Sequence, residues 1–247
     1  VDDRRENGVE AGDQVRWYAK QRGWPLRQNN ILVEGDTDRE YFELAHNIYL
    51  AENGRSLLCK KLAVFPTGAR DDGGTFGIVG EFPTLRKLID VDLDSSSKAI
   101  FRAVCLMDGD SAGKNAANIL TSKYTKLKEW QDVFLLHRKL PRSSREPATL
   151  KAQVEKANAA WRQSDCEIED LIGLELLQLF KEHKPNAFEK IQELKDGEFR
   201  VKVSWQYKQE LLRFCQEHGD ASSLSGPIEI LRSMRFYLHL DPNGETS

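Results

Sequence analysis

AIFRAVCLMDGD, residues 99–110, decides how this chain is read. Its first nine residues form an apolar run broken only by Arg102, ending abruptly on Asp108, Gly109 and Asp110. A run of that length, with charge only at its exit, predicts a strand buried on both faces of a parallel sheet. Upstream, ILVEGDTDRE (31–40) repeats the layout, with Ile31 to Val33 running straight into Glu34 and Gly35. Between and beyond these two stretches the pattern alternates. TDREYFELAHNIYLAENG reads as a helix with Thr37 at its cap, KLAVFPTG (61–68) as a strand, and ARDDGGTFG as a loop. GIVGEFPTLRKLID reads as a broken helix, SAGKNAANILTSKYTKL as a helix, and DVFLLH (132–137) as the last strand. Four strands alternating with helices predict an α/β fold, a mostly parallel four-stranded sheet with flanking helices, over residues 31–138.

Residues 1–30 read as a charged lead-in with one short helix around GDQVRWYAKQRG. Past residue 138, KLPRSSREP looks like an exposed joint, and 139–247 reads as a mainly helical region. The candidate helices are TLKAQVEKANAAWRQ, EIEDLIGLELLQLFKEH, PNAFEKIQELK, WQYKQELLRFCQEHG and PIEILRSMRFYLHL, with FRVKVSW (199–205) a short strand. The net charge of the 247 residues is only −3, so no global basic field draws in a polyanion, although local patches such as HRKLPRSSR still can. Cys59, Cys105, Cys166 and Cys215 form no CxxC pair, which fits a reduced, intracellular setting. No apolar run is long enough for a membrane span, and VDDRRENGVE lacks the layout of a signal peptide, so a soluble cytoplasmic protein is expected.

Residues just past the carboxyl ends of strands line the ligand crevice of an open parallel sheet. Adjacent central strands would therefore bring Glu34, Asp38, Asp108 and Asp110 together. Four carboxylates in one small site need a cation to offset their repulsion, and oxygen-only ligands favour Mg²⁺ or Mn²⁺. The plainer alternative is that Asp36 and Thr37 start a helix and that DGD is a turn. Gly35 would let a phosphate backbone approach closely. GDSAGKN (109–115) fails as a P-loop on spacing and on Asn115, though Lys114 is placed to reach toward a scissile phosphate if it is not simply an exposed helix lysine. The histidines show no HxH or HExxH spacing, which argues against zinc. Arg138, Lys139, Arg142 and Arg145 form the strongest basic cluster, able to grip a nucleic-acid backbone or to sit solvated in a loop. PTGARDDGG (66–74) lies near the same crevice and is read as a plain loop, the alternative being that it moves against substrate. Tryptophan spacing does not separate a stacking platform from core packing.

VEGDTD together with LMDGD resembles the Toprim domain shared by topoisomerases, bacterial primases, small RNA-maturation nucleases and OLD-family nucleases. The resemblance rests on Glu34, Gly35, Asp108 and Asp110 and on the strand order over 31–137, and Asp38 falls where OLD-like members carry a further acidic ligand. It implies a Rossmann-like sheet and a divalent-metal nuclease acting on DNA or RNA, with Glu34 as metal ligand and general base. It also implies an acidic helix carrying a second-metal ligand; CEIEDLIG (166–173) offers Glu169, with Glu167 and Asp170 as substitutes. OLD enzymes carry an ATPase ahead of this domain, whereas thirty-odd residues precede Glu34 here. That departure suggests a piece of a longer chain, or an anti-phage defence effector regulated by a separate ATPase partner. Homodimer formation stays open, as do a topoisomerase- or primase-type activity and a catalytically silent module that binds nucleic acid or a partner.

Overall fold

A computed structural model describes residues 11–68, 73–162, 164–193 and 199–246. In chain order it contains α1 (Asp13–Gln21), β1 (Asn29–Val33), α2 (Asp36–Asn53), β2 (Arg55–Ser56), β3 (Leu62–Pro66), α3 (Gly74–Val91), β4 (Arg102–Met107), α4 (Ser111–Lys123) and β5 (Val133–Leu135). There follow α5 (Pro147–Ala157), α6 (Leu174–His183), β6 (Phe188–Glu193), β7 (Phe199–Val203), α7 (Lys208–His218), α8 (Ser225–Tyr237) and β8 (Glu245–Thr246). The central sheet has the order β3-β1-β4-β5 and every pairing in it is parallel. β1 and β4 are therefore the adjacent inner strands, in the register Leu32↔Cys105.

Alternation along these strands feeds two cores. Leu32, Phe65, Cys105 and Met107 face α1, α3 and α4 through residues such as Ile78, Phe82 and Leu120. Ile31, Val33, Val104 and Leu106 face the other way, onto Tyr41 and Phe42 of α2, Leu211 of α7 and Leu231 of α8. Burial on both faces is why these strands read as unbroken apolar runs. The second face is covered largely by chain from beyond residue 138, so the carboxyl-terminal region shares a core with the sheet.

Local departures from the sequence reading have physical causes. α3 continues through Pro83, which is buried with Phe82 and Ile78; packing on the sheet outweighs the one backbone hydrogen bond that proline removes. PNAFEKIQELK is not a helix: Pro185–Ala187 form a 3-10 turn and β6 pairs antiparallel with β7, the next strand in sequence, so strand pairing overrides helix propensity. EIEDLIGLELLQLFKEH is divided, with Ile168–Leu171 a 3-10 turn and α6 starting only after Gly173. Residues 1–10 of the lead-in and 69–72 of the glycine-rich loop lie outside the described residues. Among the described residues no helix is long and apolar enough to cross a membrane.

Candidate active site

Glu34 directly follows β1 and Asp108 directly follows β4. The pairing register, carried past Leu32↔Cys105, sets them side by side, and the Asp108 backbone N–H donates to Glu34 Oε1 at 3.0 Å. Glu34 is pushed up to about 7, chiefly because it is partly buried and further because Asp110 and Glu167 are close; the Asp108 N–H and Lys208 oppose the shift. Asp38 reaches back from the first turn of α2 to accept from the Gly35 N–H at 3.0 Å. The cap of α2 is thus made by Gly35 and Asp38, and Thr37 instead accepts from Gln209 Nε2 at 3.0 Å. Asp38 is pushed up to about 7 by burial, then by Glu169 and Glu34. Asp108 is held well above the usual carboxylate range by burial, then by Asp38, Glu34 and Glu169. Asp38 and Asp108 also share the wall of a small cavity over Val33, Phe42 and Leu106.

Asp110 is the N-cap of α4, its Oδ1 accepting from the Gly113 N–H at 2.8 Å. Between the two aspartates Gly109 passes so close to the next strand that an added Cβ would lie 2.4 Å from the Leu136 carbonyl oxygen. Its own N–H donates to the Cys166 carbonyl at 2.8 Å, tying the acidic turn to the segment that carries Glu167 and Glu169. Gly109→Ala must therefore move backbone, and is expected to cost about 2–3 kcal/mol in urea-unfolding free energy.

The three acids of the 3-10 turn have different partners. Asp170 is buried and fully engaged, accepting from the Glu167 and Val201 N–H groups at 3.1 and 3.0 Å and pairing with Arg138 at 3.2 Å. Glu167 and Glu169 instead face Lys208, the first residue of α7, whose Nζ lies 2.9 Å from Glu167 Oε2 and 3.2 Å from Glu169 Oε1. Glu169 is buried and raised by that burial, and its Oε1 is not in hydrogen-bond geometry with any described group despite the nearby ammonium. Burial works against the Lys208 charge, but Glu169 and Glu167 outweigh it and hold the ammonium well above its ordinary value.

Lys208 and Glu34 line a cleft of about 670 Å³, walled on one side by Gly68, Gly73 and Gly74 and on the other by Gln209 and Trp205. The Trp205 side chain is 86% exposed. Neither Lys208 nor Trp205 was marked by sequence: a lysine opening an amphipathic helix and one tryptophan among five have no distinguishing spacing. Lys114 lies elsewhere, paired with Asp165 at 3.3 Å beside a cavity lined by His137 and Arg138. The basic quartet is not one patch. Arg138 is buried on Asp170, Lys139 lies over the Trp161 ring at 5.0 Å, and Arg142 and Arg145 hold α8 through Glu229 and the Phe236 carbonyl at 2.6 and 2.7 Å.

Among the described residues, no three His, Cys, Asp or Glu side chains stand as a ready metal cage. In their present poses Glu34, Asp38 and Asp110 each spend an oxygen on a backbone N–H, and Glu167 and Glu169 are turned to Lys208. The donor chemistry nevertheless suits a hard divalent ion, since Glu34, Asp38, Asp108 and Glu169 all bear raised carboxylates that a cation would relieve. No family model, curated protein or solved structure matches the chain.

Proposed function

We propose that this protein is a divalent-metal-dependent nuclease of Toprim type, hydrolysing phosphodiester bonds in DNA or RNA. The observation that carries the reading is the meeting of Glu34, Asp38 and Asp108 at the carboxyl ends of two adjacent parallel strands, with Glu34 opening onto a cleft large enough for a nucleotide. Glu34, Asp38, Asp108 and Asp110 would hold Mg²⁺ or Mn²⁺, with Glu169 serving a second ion. A bound ion of this kind polarises the phosphoryl group and lowers the pKa of water. Glu34, poised at about 7, is suited to accept a proton near neutral pH. Lys208 supplies positive charge beside Glu169 in the resting site, and takes the phosphate-facing role that sequence suggested for Lys114. Trp205 presents an aromatic face to the same cleft on which an unpaired base can stack. We place the protein in the cytoplasm as an anti-phage effector controlled by a separate ATPase partner, working as a monomer or homodimer.

Purified protein is expected to cut plasmid, single-stranded DNA or tRNA only with Mg²⁺ or Mn²⁺, and Asp108→Asn is expected to abolish that cutting. Absence of cutting on all three substrates, with the ATPase partner added, would sink the proposal and favour the silent binding module.

A further inference from the structure

At the opposite end of the sheet lies another cavity, of about 580 Å³, where Arg102 opens β4 and Asp132 precedes β5. β4 spans six residues, so at about 3.3 Å per residue the cavity is roughly 20 Å from Asp108. Its charge has the reverse sign. Three guanidiniums, Arg86, Arg102 and Arg145, line it against the carboxylates Asp132 and Glu146.

Those carboxylates are already engaged. Asp132 pairs with Arg86 at 3.4 Å and accepts from the Lys128 N–H at 3.1 Å. Glu146 caps α5, accepting from the Ala148 and Thr149 N–H groups at 3.0 and 2.6 Å. Arg145 lies over the Phe236 ring at 3.9 Å. Arg102 is left partly buried, and among the described residues its guanidinium has no hydrogen bond or ion pair. Burial disfavours its charge; Asp132 relieves part of that, while Arg86 and Arg145 add to it. Two residues of this cavity also carry donors, Arg86 Nε and Trp130 Nε1, that are buried without an acceptor among the described residues. Each unmet buried donor costs about 1–3 kcal/mol, and the three guanidiniums outnumber the two carboxylates on this cavity, a balance that a bound anion would offset.

We propose that this cavity binds a phosphate monoester or polyphosphate, as carried by a free nucleotide or by the 5′ end of a nucleic acid. Phosphate presents several oxygens in different directions and more than one negative charge, which suits guanidinium forks arriving from separate elements better than a single carboxylate does. The volume exceeds a lone phosphate and lies in the range of small-ligand sites.

The test is calorimetric titration of the whole chain in EDTA, which takes metal-mediated binding at the acidic cleft out of play. The probes are inorganic phosphate, ATP, and one oligonucleotide bearing either a 5′-phosphate or a 5′-hydroxyl. Binding of at least one phosphate probe is expected, weakened about tenfold or more in Arg102→Gln and in Arg145→Gln. Arg145 is exposed, so its variant decides the matter if Arg102→Gln does not fold. Preference for the 5′-phosphorylated oligonucleotide identifies a nucleic-acid end, and preference for ATP a free nucleotide. No binding of any probe at millimolar concentration, or wild-type affinity in the folded variants, overturns the site. Neither result depends on whether the acidic cleft cuts nucleic acid.

Discussion

Glu34→Gln is expected to lower metal-dependent cleavage by about 10²–10⁴-fold, the usual contribution of a positioned general base, while making the metal-free protein more stable. The two effects have one cause. Glutamine keeps an oxygen to accept the Asp108 N–H but removes the charge that burial and neighbouring acids oppose. Glu34 is raised from 4.5 to about 7 in the folded chain. Above pH 7 the native state therefore carries an ionised carboxylate that is less costly in the unfolded chain. As pH falls from about 7 toward 4.5 the native state takes up a proton that the unfolded state does not, and wild-type stability rises relative to the variant. The stabilisation by Gln is thus largest near pH 8 and fades below pH 5. Allowing for partial exposure it should reach about 1–3 kcal/mol, and at about 2–4 °C per kcal/mol for a chain this size it is measurable by thermal melting. Added Mg²⁺ should then raise the wild-type Tm more than the variant's, because preferential binding to the native state is what relieves the repulsion. A Glu34→Gln protein that melts lower at pH 8 would show that the carboxylate is structural; one that cuts as fast as wild type would remove it from catalysis.

The pairing of Glu34 with Asp108 could be read from sequence because it follows from backbone geometry alone. Two apolar runs buried on both faces must be inner strands, and residues at their exits must be neighbours if those strands are adjacent and parallel. The need for Gly109 and Gly113 was not marked by sequence and shows only in the fold, where an added Cβ would meet backbone at 2.4 Å from Leu136 and 2.0 Å from Asp108 respectively. Lys208 could not be found this way. Its place depends on how α7 docks across the sheet, a contact set by tertiary packing between segments some 170 residues apart in sequence, and the segment WQYKQELL carries no local sign of it. β6 is a different case: its partner β7 is the next strand in sequence, and it is that pairing rather than composition that makes β6 a strand. The acids of CEIEDLIG illustrate the limit most clearly. The resemblance picks out Glu169 with Glu167 and Asp170 as substitutes, yet the 3-10 turn Ile168–Leu171 and its N-cap point Glu167 and Glu169 to Lys208 and Asp170 to Arg138.

Arg138→Met should produce the largest loss of stability, about 3–5 kcal/mol, the range found when one partner of a buried ion pair is removed. Arg138 and Asp170 have side-chain exposures of 8% and 1%, and the guanidinium also donates to the Asp170 carbonyl oxygen at 2.9 Å. Without Arg138, the groups among the described residues left to offset the desolvation of the Asp170 carboxylate are the Glu167 and Val201 N–H groups. Neutralising it as well, in Arg138→Met/Asp170→Asn, should recover part of the loss, because the uncompensated charge is gone while the side-chain oxygen can still accept from those two N–H groups. Chemical denaturation of the two single variants and the double gives the coupling energy directly. Because Asp170 anchors the turn that presents Glu169 to Lys208, cleavage should fall in Arg138→Met even under conditions where the variant is folded. A residue that instead grips nucleic acid from the surface would behave oppositely: its loss would leave unfolding unchanged, weaken binding on every sequence and flatten the salt dependence of affinity. Unchanged unfolding with a flattened salt slope would return Arg138 to the nucleic-acid face, whereas destabilisation rescued by Asp170→Asn fixes it as the internal support of the acidic turn.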